Sequence, residues 1–186
     1  MTQTRLRTEG LAALGLFVAT IPAANWLIGH VGTVCLPAGP CLIPVAPGMS
    51  APSGVLMVGL ALVLRDLVQR RLGLLAGLAA IVVGALLSAW VAPRAIVLAS
   101  AAAFLLSELA DFFVYTPLQR RRFVTAVVAS SIVGLAVDSA AFLYLAFGSL
   151  EYLPGQILGK LWMVLLAIPV VHWFRRRDER LGVQPA

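Results

Sequence analysis

Long apolar runs separated by short clusters of charged residues make up almost the whole chain. The runs cover residues 11–28, 51–68, 72–91, 95–118, 123–147 and 155–174. Each is about 18 to 25 residues long, the length that crosses a bilayer as an α-helix. The pattern predicts an all-α fold, an integral membrane bundle of six transmembrane helices that forms a single domain over residues 1–186.

The segment between the first two runs, residues 29–50, has a different character. It is rich in proline and glycine and contains no Asp, Glu, Lys or Arg. This composition predicts a long irregular or partly re-entrant loop that caps the outer face. The spacing of Cys35 and Cys41 leaves two alternatives open, a small disulfide loop or free thiols. With His30 they supply only three ligands, so we expect no metal site.

Composition and charge narrow the class of protein further. The chain is 61% hydrophobic and 12% charged, with a mean hydropathy of +0.97. A soluble domain of this size needs more polar surface than so few charges provide. The net charge of +6 does not point to nucleic acid, because the basic residues lie between apolar runs instead of forming a stripe. They indicate membrane topology and contact with lipid headgroups.

The basic residues are distributed unequally between the two sides of the six expected spans. Twelve arginines fall on one side, and only Arg94 falls on the other. The twelve are Arg5, Arg7, Arg65, Arg70, Arg71, Arg120, Arg121, Arg122, Arg175, Arg176, Arg177 and Arg180. Basic residues concentrate on the cytoplasmic side of membrane proteins. We therefore expect a multi-pass protein of the bacterial inner membrane with both termini in the cytoplasm.

Two carboxylates inside the fourth span define a candidate site. A charge inside the bilayer costs roughly 2.5–3.5 kcal/mol on insertion scales and usually faces the bundle interior. Glu108 and Asp111 are three residues apart and share one helix face with Phe104. One cation does not easily neutralise both carboxylates. We expect a ligand with N–H donors, a proton, or Arg65 together with either, to meet them.

Two ion pairs are expected between spans. Counting about 1.5 Å per residue from the outer helix ends places Asp138 and Lys160 at similar depth, where they can pair. The same count brings Arg65 and Glu108 together near mid-membrane. Other interpretations stay open, because both pairs can simply fix helix register, and Arg65 with Asp66 can extend to the inner interface.

Neutral polar and aromatic residues complete the candidate site. Gln156 lies one turn before Lys160 on the sixth span, and Asn25 lies near the outer end of the first. Phe104 and Trp162 are deep enough to stack on a flat ligand, although deep aromatic residues also serve as core.

Sequence motifs for an enzyme are missing. There is no His-Glu-x-x-His, and the Gly48-Met49-Ser50 string lacks the second glycine of a nucleophile elbow. The string from Gly155 to Lys160 is one residue short of a phosphate loop and lacks the following Ser or Thr. We expect no enzymatic activity and no cofactor.

Five short strings occur together along the chain. In chain order they are Arg65-Asp66-Leu67-Val68-Gln69, Ser107-Glu108-Leu109-Ala110-Asp111, Val137-Asp138-Ser139, Ala146-Phe147-Gly148 and Pro154-Gly155-Gln156-Ile157-Leu158-Gly159-Lys160. Together they resemble the VUT family, the queuosine precursor transporters of the YhhQ type, and the resemblance covers about residues 20–170. The resemblance implies a six-helix protein that imports a 7-deazaguanine such as preQ0, preQ1 or queuine, a base later inserted into tRNA.

The chemistry of such a base assigns roles to the candidate residues. Its ring N–H and amino group are adjacent donors that Glu108 can accept, while its carbonyl needs a donor such as Gln156, Asn25 or Lys160. Asp111 and Asp138 are left with two alternatives. Either they neutralise the aminomethyl cation of preQ1, or they carry a coupling proton.

The family is also similar in architecture to the substrate-binding S-components of energy-coupling factor vitamin transporters. That likeness gives the alternative function, a binding subunit that depends on an ATPase module. The expected partners are a small nucleobase and the lipid bilayer, with no nucleic acid. A homo-oligomer and an energising ATPase module both stay open.

Overall fold

The computed structural model describes residues 3–37, 39–92, 94 and 96–183. Its six helices are α1 (Gln3–His30), α2 (Val55–Leu72), α3 (Leu74–Val91), α4 (Val97–Leu118), α5 (Phe123–Phe147) and α6 (Leu153–Leu181). The expected start of the fourth span at residue 95 and the last three residues of the tail lie outside the described part. Within that part, the predicted all-α bundle of six helices is confirmed.

Five of these helices are long and apolar enough to cross a membrane, and α2 is the exception. Its second half carries four charged residues, which lower its hydropathy, namely Arg65, Asp66, Arg70 and Arg71. All four are buried, at 0% to 6% exposed. This is possible because α2 is the central helix and contacts each of the other five. Its charges therefore face protein instead of lipid, and the interpretation that Arg65 and Asp66 extend to the interface is wrong.

The segment expected to be an irregular loop is a small antiparallel sheet. Its strands are β1 (Val34–Cys35), β2 (Cys41–Ala46) and β3 (Met49–Pro52), in the order β1-β2-β3. Cys35 and Cys41 face each other across β1 and β2 and form a disulfide. Pairing between strands satisfies the backbone N–H and C=O groups that an irregular loop would leave to water. The hydrophobic pattern gives little signal for these strands, because they are two to six residues long and β2 and β3 contain proline.

The sheet packs against the ends of α1 and α6. Ser53 Oγ donates to the Leu27 carbonyl at 2.7 Å, and Trp162 Nε1 donates to the Val45 carbonyl at 3.1 Å. Gly155 lies directly against the Ser50 carbonyl, where a side chain would clash. We call this end of the bundle the sheet end, and the end that carries both termini the terminal end.

Close helix contacts depend on glycines with no room for a side chain. A Cβ atom on Gly59 of α2 would lie 2.6 Å from the backbone oxygen of Lys160 on α6. A Cβ atom on Gly159 would lie 2.6 Å from Val55. Gly73 has a different role, because its φ of 93° allows the one-residue turn between α2 and α3. The Gly59 contact brings α6 close enough for Lys160 to reach the interior.

Ion pairs join α1, α2 and α6 at the terminal end. Asp178 accepts from Arg70 at 2.9 Å and from Arg71 at 2.9 Å, and Glu9 pairs with Arg71 at 3.1 Å and Arg177 at 2.5 Å. The sixth apolar run ends at residue 174, but α6 continues to Leu181. Burial of Asp178 between Arg70 and Arg71 fixes this last part of the helix.

Asp178→Asn should destabilise the bundle because it leaves Arg70 and Arg71 buried with less compensating charge. Breaking such a buried pair costs about 3 kcal/mol, and the loss is measured as a lower free energy of unfolding in detergent. Glu179→Gln is the matched control, since the Arg175–Glu179 pair is exposed and such pairs contribute about 0–1 kcal/mol. Equal losses in both variants would contradict the role of Asp178.

The disulfide provides a test of orientation, which remains a prediction. If the sheet end faces outward, an impermeant thiol reagent added to intact cells should label Cys35 and Cys41 only after reduction. As a control, Arg5→Cys in a background of Cys35→Ser and Cys41→Ser should react only after the cells are permeabilised. The reverse pattern would invert the topology.

Candidate functional site

A cavity lies in the half of the bundle nearer the sheet. Segments of α1, α2, α3, α4, α5 and α6 line it, together with Pro52 at the end of β3 and Gly54. Six of the nine residues predicted for the site line this cavity, namely Asn25, Phe104, Glu108, Asp138, Gln156 and Lys160. The tertiary structure therefore brings together polar side chains from four different helices. The assignment of these residues to substrate binding remains a prediction.

Lys160 forms the centre of one polar cluster on the cavity wall. Its ammonium group donates to Asp138 Oδ2 at 2.5 Å, to Ser139 Oγ at 2.8 Å and to Gln156 Oε1 at 2.8 Å. The expected Asp138–Lys160 pair is thus present. An ammonium group has three N–H donors, so these three contacts use all of them. Ser107 also contacts Asp138, at 3.4 Å.

Arg65 forms the centre of a second, deeper cluster. Its Nε lies 3.1 Å from Glu108 Oε2, its Nη1 lies 3.1 Å from Asp66 Oδ1, and its Nη2 contacts Asp111 Oδ1. Nη1 also donates to Gln69 Oε1 at 3.0 Å. The expected Arg65–Glu108 pair is present, and Arg65 contacts Asp111 as well. A planar guanidinium has five N–H donors, which allows one arginine to bind several acceptors at once.

Glu108 is the residue shared by the cavity and the deeper cluster. It lines the cavity, and one of its oxygens accepts from Arg65. Arg65 and Asp111 do not line the cavity but lie behind Glu108. Asp111 is closed off on its other side by Gly134 of α5, where a Cβ atom would lie 3.1 Å from the Asp111 Cβ. A substitution or a ligand at Glu108 therefore acts directly on the hydrogen bond between Glu108 and Arg65.

The predicted aromatic residues have different positions. Phe104 lines the cavity, and Gly84 of α3 makes room for its ring, because a Cβ there would lie 2.6 Å from Phe104 Cζ. Trp162 lies outside the cavity and is 47% exposed. Its indole is held by the Val45 carbonyl of β2. The expectation that Trp162 stacks on a ligand is therefore not supported by its position.

Two polar residues that were not predicted as site residues connect the Arg65 cluster to its neighbours. Gln69 is buried between Arg65 and Thr116, to which its amide nitrogen donates at 3.0 Å. Asp66 accepts from Ser130 of α5 at 3.1 Å. The spacing in the sequence gives a partial indication of the role of Gln69, because Gln69 is one turn after Arg65 on the same helix face.

These features define a class of protein: a multi-pass membrane protein with a polar cavity among its helices, suited to a small-molecule substrate. Residues 91–174 match the family model described as "Putative vitamin uptake transporter". The VUT family predicted from the motifs is confirmed over this part of the chain, which contains four of the five motifs. The match supports a transporter in a lipid bilayer. No curated protein and no solved structure matches the chain significantly.

The Asp138–Lys160 pair can be tested with a double-mutant cycle. Lys160→Met should lower the free energy of unfolding by about 3 kcal/mol because it leaves Asp138 without its cation. Adding Asp138→Asn should recover part of this loss. Ser100→Ala, which changes a neutral residue of the same cavity, serves as the control. Strictly additive effects would show that the two charges do not stabilise each other.

Proposed function

We propose that this protein imports a queuosine precursor, a 7-deazaguanine, across the bacterial inner membrane. The observation that carries the proposal is the cavity wall, on which a carboxylate, a carboxamide and an aromatic ring lie close together. These groups are Glu108, Gln156 and Phe104. They match the donor edge, the carbonyl edge and the flat face of such a base. The family match supports transport, and the motif resemblance supports this choice of substrate.

Glu108 is suited to the donor edge of the base. One of its oxygens accepts from Arg65 Nε, which holds the carboxylate in place on the cavity wall. Its other oxygen has no hydrogen bond within the described part of the chain. A carboxylate oxygen accepts more than one hydrogen bond. Glu108 can therefore accept both the ring N–H and the amino group while it stays bound to Arg65.

Gln156 is better suited than Lys160 to the carbonyl edge. All three donors of Lys160 are used by Asp138, Ser139 and Gln156. Because Gln156 accepts from Lys160 through Oε1, its amide nitrogen is the group that can donate into the cavity. Asn25 is a second donor, although its amide nitrogen already donates to the Ile21 carbonyl at 3.0 Å.

The two carboxylates expected to meet an aminomethyl cation already have cationic partners. Asp138 is paired with Lys160, and Asp111 is bound to Arg65 behind the cavity wall. Neither pair has to open for the uncharged preQ0 to bind. We therefore propose preQ0 as the substrate over preQ1, in which the aminomethyl group is charged.

Uptake by the single chain tests the function and its alternative together. Purified protein in sealed vesicles should accumulate labelled preQ0, and preQ0 should raise its thermal unfolding temperature because ligand binding stabilises the folded state. Thermal stabilisation without uptake would favour the alternative, a binding subunit that needs an ATPase module. If preQ0, preQ1 and queuine are neither taken up nor raise the unfolding temperature, the proposed substrate is wrong.

Glu108→Gln should weaken binding of preQ0 by about ten- to a hundred-fold, because the new amide N–H₂ faces a donor of the base. Affinity is measured by titration calorimetry on detergent-solubilised protein. Ser100→Ala is the control, since it changes the cavity wall without altering charge. A Glu108→Gln protein that folds normally and binds preQ0 as tightly as the parent would show that Glu108 only stabilises Arg65.

A further inference from the structure

The cluster around Arg65 contains more negative than positive charge. One guanidinium contacts three carboxylates, Asp66, Glu108 and Asp111. These four residues are at most 1% exposed. If all three acids were ionised, the cluster would carry a net charge of −2 in the interior of a membrane protein, where uncompensated charge is costly.

The neighbouring cationic side chains are already paired with carboxylates outside this cluster. Toward the sheet end, Lys160 of α6 is neutralised by Asp138 of α5. Toward the terminal end, Arg70 lies one turn after Asp66 but is bound to Asp178, as is Arg71. The other residues that contact the cluster in the described part of the chain carry no charged group; they include Gln69, Phe112, Tyr115, Thr116, Ser130 and Gly134.

Asp111 Oδ2 differs from the other carboxylate oxygens of the cluster. It is buried and has no hydrogen-bond partner in the part of the chain that the structure describes, whereas Asp111 Oδ1 is bound to Arg65. The second oxygen of Glu108 also accepts no hydrogen bond from the described residues, but Glu108 lines the cavity and Asp111 does not. Asp66 Oδ1 also lacks a hydrogen bond, but it lies 3.1 Å from Arg65 Nη1 in an ion pair, and Asp66 Oδ2 accepts from Ser130. A buried carboxylate oxygen with no donor is a place where a proton lowers the free energy of the cluster.

We propose that Asp111 takes up a proton when an uncharged substrate binds Glu108, so that substrate and proton enter together. The inference rests on the proposed function. Glu108 must stay ionised to accept the N–H donors of the base. The base also displaces water from the cavity, which leaves the negative charge behind Glu108 less well solvated. A proton from bulk water then binds Asp111 Oδ2, and the net charge of the cluster becomes less negative by one.

Linkage gives the expected pH dependence. Because the ligand-bound protein holds one more proton than the empty protein, its affinity for the base rises as the pH falls. The change is at most about tenfold per pH unit for a single proton. Asp111→Asn resembles the protonated residue in shape and charge, so it should remove this dependence.

The test is titration calorimetry with preQ0 in buffers of different ionisation enthalpy, which counts the protons bound per ligand. We expect about one proton for the parent and close to none for Asp111→Asn. Glu179→Gln, which changes an exposed carboxylate, should behave as the parent does. A parent that binds preQ0 without proton uptake would overturn the inference and leave the proposed function intact. No binding heat in the parent would instead count against the proposed function.

A second measurement covers the case in which Asp111→Asn does not fold. The infrared difference spectrum of the parent, with and without preQ0, should gain the carbonyl band of a protonated carboxylic acid. The band should be missing if proton uptake does not occur on a carboxylate. Equal proton uptake by the parent and a folded Asp111→Asn protein would place the proton elsewhere and contradict the assignment to Asp111.

Discussion

The guanidinium of Arg65 lies inside the helix bundle and contacts carboxylates from two helices, α2 and α4. A charge that is always present cannot be buried unless its partners are held in place around it. This requirement fits the position of α2, whose four charged residues are all buried and which contacts every other helix. It also explains why Ser130 of α5 and Thr116 of α4 are drawn into the same hydrogen-bond network.

The polar interior is divided into three levels along the bundle. The Lys160 cluster lies on the cavity wall, and the Arg65 cluster lies behind Glu108 on the side toward the terminal end. The Asp178 cluster joins α1, α2 and α6 at the terminal end itself. Each cluster contains residues from at least two helices. Helix contacts through Gly59 and Gly159 bring the backbones close enough for these side chains to meet. Small residues and buried charges thus act together in positioning α6 against α2.

The cavity and the Arg65 cluster are connected through Glu108. This residue lines the cavity and is bound to Arg65. The cluster behind Glu108 has more acids than cations. The proposed substrate and the proposed proton are connected through this contact, because a ligand bound to Glu108 would change the solvation of these acids.

The sequence by itself determined the membrane class, the number of helices and the two ion pairs, because hydrophobic length and charge depth are local properties of a chain. Four of the five family motifs also lie within the matched residues 91–174. The sequence did not predict the sheet of residues 34–52 or the burial of Asp66, Gln69 and Asp178. Nor did it predict that Trp162 lies outside the cavity. These features depend on which face of each helix packs against which neighbour. Only the tertiary structure decided this packing, because it makes α2 the central helix and leaves Trp162 on the outside.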